Sequence, residues 1–300
     1  MGIYLSKPNT TKDSHIGESD AMRFGVSAMQ GWRMNMEDAH ISLPNLTENI
    51  ALFAVFDGHG GPEVAKFCSK YFPIELLKNE NFKSGNYKTA LEEVFLRMDA
   101  LLIDDTNDDL LKEFKNDPDN RNSFAGCTAN VALITQTEIY VANAGDSRAL
   151  IFTNEGQVIP MSFDHKPDLE IEKNRIQNAG GYVSEGRVND NLNLSRAIGD
   201  LEYKKNPALR PEQQIISAFP DVKVRTLEKN FKFILMGCDG IWETLSAEEI
   251  CNLIDQRLSA NSSVKLSSVV EELLDKLIAK ETMEGVGCDN MSAILIQFKH

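Results

Sequence analysis

Two rhythms of apolar residues run along the chain. Ala51-Leu52-Phe53-Ala54-Val55-Phe56 and Phe231-Lys232-Phe233-Ile234-Leu235-Met236 are almost continuous apolar runs, the pattern of strands buried on both faces. Met22 to Met29, Ala39 to Leu43, Gly126 to Thr135, Glu138 to Asn143, Arg148 to Phe152 and Met291 to Phe298 also read as strands. Helical spacing takes over elsewhere. Val64, Phe67, Cys68 and Tyr71 share one face of a segment from Glu63 to Leu77, where Pro73 is expected to kink or end the first part. Leu91, Val94, Phe95, Met98, Leu101 and Leu102 stripe a helix from Lys88 to Ile103. Leu169 to Ala179 is a helix stopped by Gly180-Gly181, a good termination signal. Ser246 opens a helix to Leu258, with Glu249 three residues on, a capping box. Leu266, Val269, Val270, Leu273, Leu274, Leu277 and Ile278 mark the last helix.

Between these elements lie polar stretches. Residues 1–20 lack periodicity and read as a flexible tail. Residues 104–122 are acidic. Asp105 to Asp109 begins like a calcium loop, but Leu110 replaces the turn glycine and Asn116 the closing glutamate, so a solvated loop is the better reading. Residues 182–218 form a long irregular segment, a length that loops reach chiefly where they carry function. No linker rich in Pro, Gly or Ser divides the chain, so residues 21–300 read as one domain. Strands separated irregularly by helices favour an α+β layered fold.

Composition narrows the function. Hydrophobic residues make up 42% and charged residues 25%, as in soluble globular chains. The formal charge of -14 argues against broad contact with nucleic acid. Cys68, Cys127, Cys238, Cys251 and Cys288 contain no CxxC pair and sit in apolar surroundings, as buried reduced thiols would. That points to a reducing, cytoplasmic setting, with the nucleus or a membrane surface as alternatives. Met1-Gly2-Ile3-Tyr4-Leu5-Ser6 fits the pattern for myristoylation of Gly2. One acyl chain would give weak, reversible membrane attachment.

The candidate chemistry lies where strands run out. Asp57 follows Phe56, Asp146 follows Gly145, Asp239 follows Cys238, Asp289 follows Cys288, and Glu37-Asp38 stand together. Desolvating a carboxylate is costly unless it is paired or holds a cation. Several such acids imply a shared cluster of oxygen ligands, which selects a hard cation, Mg²⁺ or Mn²⁺. Two ions bridged by one carboxylate hold a water between them and make it a nucleophile toward phosphorus. Gly58, Gly60 and Gly61 let backbone approach an ion closely. His59, flanked by glycine, is a candidate proton donor. Arg33, four residues before Glu37, is a candidate phosphate grip. His40 and His165 read as scaffold histidines, His15 as part of the tail, and Trp32 as core.

The ordered set Arg33-x-x-x-Glu37-Asp38, Asp57-Gly58-His59-Gly60-Gly61, Gly126-Cys127-Thr128-Ala129, Asn143-Ala144-Gly145-Asp146-Ser147-Arg148, Asp164-His165-Lys166-Pro167, Ser195-Arg196-Ala197-Ile198-Gly199-Asp200, Asp239-Gly240-Ile241-Trp242 and Asp289-Asn290 closely resembles the metal-dependent type 2C protein serine/threonine phosphatases. The resemblance spans residues 22–298. It implies two packed antiparallel β-sheets flanked on both outer faces by helices, with a metal pair in the cleft at one end. It implies that Asp57 bridges both ions and that Glu37 and the Gly58 carbonyl serve one. Asp239 and Asp289 serve the other, and Asp38 orients water. Arg33 grips the phosphate, His59 protonates the departing oxygen, and Asp146 belongs to a weaker third metal. The segment from about 167 to 218 falls where the family carries a mobile flap. Phosphoprotein substrates and a monomer are expected.

Two positions depart from the family's habit. Glu243 stands where Asp is frequent, which moves a charge outward by one methylene and puts the third metal in doubt. Asp190 stands in a stretch where Gly is common. If that backbone needs positive φ, Asp adopts it at modest cost. A silent, partner-binding relative would lack a ligand, and none is missing here. A two-metal phosphodiesterase acting on nucleic acid or a small ester is a further alternative. The net charge and the long flap both favour a protein substrate.

Overall fold

Period-two alternation of buried side chains builds two antiparallel sheets back to back. The structure is a computed structural model and describes residues 4–103, 111, 113, 114 and 125–299. Strands β1 (Tyr4–Glu18), β2 (Met22–Arg33), β16 (Met291–Phe298), β15 (Phe231–Gly237), β9 (Arg148–Thr153) and β10 (Val158–Pro160) form a six-stranded sheet in that order. Strands β14 (Asp221–Thr226), β8 (Glu138–Ala144), β7 (Ala129–Ile134), β4 (Ile50–Phe56) and β3 (Ala39–Thr47) form a five-stranded one. Two-residue strands β13 (Ile198–Gly199), β6 (Gly126–Cys127) and β5 (Gly58–His59) make a small third sheet, and β11 (Val183–Ser184) with β12 (Arg187–Val188) a hairpin.

The alternation sorts the core. On β4, Ala51, Phe53 and Val55 point between the sheets, while Leu52, Ala54 and Phe56 face outward under helices. Strands β7 and β8 divide in the same way: Ala132, Ile134, Ile139 and Val141 go inward, and Val131, Leu133 and Ala142 outward. Phe24 of one sheet meets Phe53 of the other edge to face at 5.3 Å. Helices α1 (Glu63–Lys78), α2 (Glu80–Lys83) and α3 (Tyr87–Ile103) cover the five-stranded sheet. Helices α5 (Asp239–Trp242), α6 (Ala247–Ala260) and α7 (Leu266–Leu277) lie against the six-stranded one, and α4 (Glu170–Asn178) belongs to the flap. The result is the expected helix–sheet–sheet–helix sandwich. Both faces of β4 are dry, which is why that strand reads as an unbroken apolar run, and β7 and β8 are buried on both faces as well. Among the described residues, no helix is long and apolar enough to cross a membrane.

Three expectations need correction. Residues 4–18 are not a flexible tail but the edge strand β1, paired with β2 from Tyr4↔Arg33 to Glu18↔Arg23. An edge strand is held by backbone bonds and needs little apolar rhythm, so its polar sequence hid it. His15 takes part, stacking on His40 at 5.1 Å and bonding to Ser42. Helix α1 does not end at Pro73 but continues through it to Lys78, because Phe72 and Leu76 are anchored in the core. Residues 221–226, for which the apolar pattern predicts no element, form β14, an edge strand with mostly polar exposed positions. Gly2 and most of the acidic stretch 104–122, including the calcium-loop positions Asp105 to Leu110 and Asn116, lie outside the described residues.

Candidate metal centre and active site

The acids come together at one end of the sandwich because each stands where a strand ends or begins there. Asp57 leaves β4, Asp146 sits in the β8–β9 turn, Asp239 leaves β15, and Asp289 precedes β16. Carboxylate oxygens of Asp57, Asp146 and Asp239 lie within 4.8 Å of one another, and so do those of Asp239, Glu243 and Asp289. Asp38 meets Asp57 and the Cys238 thiol within the same limit. Two glycines permit this crowding. A Cβ at Gly58 would stand 2.3 Å from the Glu37 carbonyl oxygen, and one at Gly240 would stand 2.2 Å from that of Asn290.

The Glu37 segment is tied to the Asp289 segment by Asn290. Its side-chain amide donates to the carbonyls of Gln30 (2.8 Å) and Asn35 (3.0 Å), and its Oδ1 accepts the Glu37 N–H at 2.9 Å. Glu37 Oε2 accepts the Gly61 N–H at 3.3 Å. Ser292 donates to Asp38 Oδ2 at 2.7 Å. The Asp57 N–H donates to Thr128 Oγ1 at 3.2 Å. Arg33, half exposed at the rim, pairs with Asp289 at 2.5 Å. A cleft of about 440 Å³ is lined by Arg33, Glu37, Asp57, His59, Asp239 and Asp289 on one side and by Asn191 to Leu194 of the flap on the other.

The electrostatics of this cluster call for positive charge. Burial, then the neighbouring carboxylates Asp146 and Asp289, push Asp239 up to about 8. Asp38 is raised to about 7, mainly by burial. Asp57 is raised well above its usual range by burial and by Asp239, Asp38 and Asp289. Burial also raises Glu37 and Glu243. Among the described residues, Asp38 Oδ1 and Asp239 Oδ1 are buried without a hydrogen-bond partner. Unpaired buried carboxylate oxygens are expensive, and a hard divalent cation is the partner that oxygen-only donors fit. The residues present therefore suit divalent metal.

The other expected residues divide in two. Asp146 is 3% exposed and ion-paired with Lys166, so its charge is already partly met from the protein. Glu243 reaches the cluster but also accepts the Gly287 N–H at 2.9 Å. Asp190 does need positive φ, at 59°, and its carboxylate accepts the Tyr182 hydroxyl at 2.6 Å. His165 is the buried scaffold residue expected: its Nδ1 accepts the Gly145 N–H at 3.2 Å and its Nε2 faces Asp221. Trp32 packs in the core and donates to the Ala279 carbonyl at 2.9 Å.

His59 reaches the cleft with a partner that sequence reasoning did not assign, Asp200, at 2.8 Å. Burial alone would lower the His59 pKa, but the Asp200 charge and hydrogen bond outweigh it and raise the value. Asn290 and Ser292 were likewise given no part. Asp200 and Asn290 both stand inside quoted motifs, and that was the only signal available for them.

A family model described as Protein phosphatase 2C matches residues 22–286. Over their full lengths, the chain is 52% identical to "Probable protein phosphatase 2C 5" and 50% identical to "Protein phosphatase 2C 1", both of Paramecium tetraurelia. It is 43% identical to "Probable protein phosphatase 2C 21" of Arabidopsis thaliana, covering 93% of that protein. Among solved structures, serine-threonine phosphatase 2C from Toxoplasma gondii superposes with a TM-score of 0.76 at 20% identity, over 99% of both chains. A second Toxoplasma gondii phosphatase gives 0.77 over 96% of both. The double-sheet sandwich and the family match together define a protein phosphatase. The chain belongs to the protein phosphatase 2C family, whose activity is directed at phosphoserine and phosphothreonine.

Proposed function

We propose that this phosphatase depends on a pair of divalent cations, Mg²⁺ or Mn²⁺, held by Glu37, Asp57, the Gly58 carbonyl, Asp239 and Asp289. The observation that supports this reading is the pair of buried, unpartnered oxygens on Asp38 and Asp239 inside a cluster of carboxylates. When bound, the cations supply the positive charge that lowers the pKa of water for in-line attack on phosphorus and neutralises the phosphoryl oxygens. Asp38, braced by Ser292, orients the attacking water. Arg33 at the rim exchanges its contact with Asp289 for two-pronged contact with the substrate phosphate, which its planar fork suits. His59 gives a proton to the departing serine or threonine oxygen. Asp146 is the carboxylate available to a weaker third ion. Its existing pair with Lys166 would have to loosen first.

The test is turnover of a phosphothreonine peptide before and after exhaustive chelation, with Mg²⁺ or Mn²⁺ added back. Activity should vanish with EDTA and return with either metal. Undiminished turnover in metal-free protein would refute the reading.

A further inference from the structure

The Ser195–Asp200 segment ends in an acid with no place among the cation-holding carboxylates. Asp200 is 1% exposed. Its Oδ2 lies 2.8 Å from His59 Nε2, and its backbone sits in the left-handed region at φ 50°, uncommon for a residue other than glycine. Gly126 packs against the pair so closely that a Cβ there would come within 2.3 Å of Asp200 Oδ2 and 2.6 Å of His59 Nε2. The neighbouring backbone is clamped from α3. The Gly199 N–H donates to Asp99 Oδ1 at 2.8 Å, while Lys204 bridges Asp99 Oδ2 and the Ala197 carbonyl. The side chains differ in access: His59 is 25% exposed and Asp200 2%. The pair therefore spans the cleft wall, with the acid behind and the imidazole in front.

We propose that Asp200 is the positioning residue for His59: by accepting the Nε2–H it fixes the ring and leaves Nδ1 as the nitrogen that serves the substrate. An ionised carboxylate only accepts, so the proton on Nε2 stays in the pair and does not take part in transfer. The transferable proton is on Nδ1. As the bond from phosphorus to the serine or threonine oxygen breaks, its electron pair goes to that oxygen, which takes the Nδ1 proton and leaves as the alcohol. Water supplies the oxygen gained by phosphate, and solvent returns a proton to Nδ1. A carboxylate placed behind the imidazole orients it and keeps the tautomer that this transfer requires.

The inference rests on His59 as proton donor, and the experiment separates the two ideas. His59→Ala, Asp200→Ala and the double variant are assayed with Mg²⁺ on a phosphothreonine peptide and on p-nitrophenyl phosphate, whose leaving group needs no proton. Asp200→Ala should cut kcat on the peptide by about 10- to 100-fold and on the aryl ester by less than about 3-fold. KM should hardly move, and the double variant should be no slower than His59→Ala. In wild-type protein labelled with ¹⁵N-histidine, the neutral His59 ring should carry its proton on Nε2, a result independent of whether the variant folds. If His59→Ala slows both substrates equally, the donor role itself fails. If His59→Ala discriminates while Asp200→Ala does not, if the losses add, or if the neutral ring is protonated on Nδ1 alone, the assignment of Asp200 is overturned and the donor role survives.

Discussion

Asp239 sits where its own charge is unfavourable, and this sets a measurable pH dependence. Its carboxyl is raised from 3.8 to about 8, first by burial and then by Asp146 and Asp289. Between those values the folded chain binds more protons than the unfolded chain, so metal-free stability falls as pH rises across that window. Asp239→Asn removes the charge and keeps the shape. Without metal, its Tm at pH 8 should exceed that of wild type, and its decline from pH 4 to 8 should be shallower. Its phosphatase activity should fall on the order of 100-fold, the scale of losing one electrostatic anchor at a reacting centre. Thermal melts in EDTA and peptide assays in Mg²⁺ check the two halves. A variant less stable than wild type at pH 8 would mean that Asp239 is satisfied by the protein. Residues of this kind were legible because a charge that ends an apolar run violates the usual rule of burial. Asp200 and Asn290 were not, because their meaning lies in partners 141 and 253 residues away and nothing local distinguishes them.

At the scale of elements, legibility followed burial on both faces. Strands β4, β7, β8 and β15 were read correctly because dry faces demand apolar residues. The capping box at Ser246 was read from two positions and is present, with Ser246 Oγ accepting the Glu249 N–H at 3.2 Å and Glu249 Oε2 accepting the Ser246 N–H at 2.9 Å. The edge strands β1 and β14 were missed for the converse reason: backbone pairing along one side holds them while their side chains meet water. Strand β1 nonetheless has structural weight. It covers the β2 edge, lays His15 against Phe24 at 5.9 Å and pairs Lys12 with Asp275 of α7. Deleting residues 2–18 should lower Tm by on the order of 5–10 °C, taking a few kcal/mol at the usual slope for a chain of this size. It should also promote aggregation through the uncovered strand edge. Lys12→Ala should change little, since a pair with one exposed partner contributes about 0–1 kcal/mol. Melting curves and light scattering on the two variants decide it. An unchanged Tm after deletion would return the segment to the status of a tail.

Over the whole molecule, the cleft has a rigid floor made by strand ends and a wall made by the flap, and an ionic network gathered on one buried carboxylate joins the flap to the sandwich through Arg196. Glu172 is 1% exposed and accepts from Arg175 (2.7 Å), Arg196 (2.6 Å) and Ser195 Oγ (2.7 Å). Arg196 also reaches Asp221 of β14 at 2.8 Å, and Arg175 donates to the carbonyls of Ser195 and Ile215. Burial would raise Glu172, but the two arginines win and bring it down to about 2. The depressed value means that its contribution is complete above the ordinary carboxylate range and fades only as pH falls toward 2, so the flap is fully pinned at neutral pH. Glu172→Gln would leave two arginines poorly matched in a largely buried setting. Breaking one side of such a cluster costs about 3–5 kcal/mol, here concentrated in the flap because the network lies outside the main core. Amide exchange in residues 182–218 should accelerate while the sheets stay protected. Since Asn191 to Leu194 line the cleft, KM for a phosphopeptide should rise about 10-fold, near 1.4 kcal/mol of lost binding, and turnover of p-nitrophenyl phosphate should barely change. If exchange in the flap stays at the wild-type rate, its position is set by the small apolar cluster of Ile176, Val188, Ala197, Tyr203 and Ile216, and the ionic network is only an accompaniment to that packing.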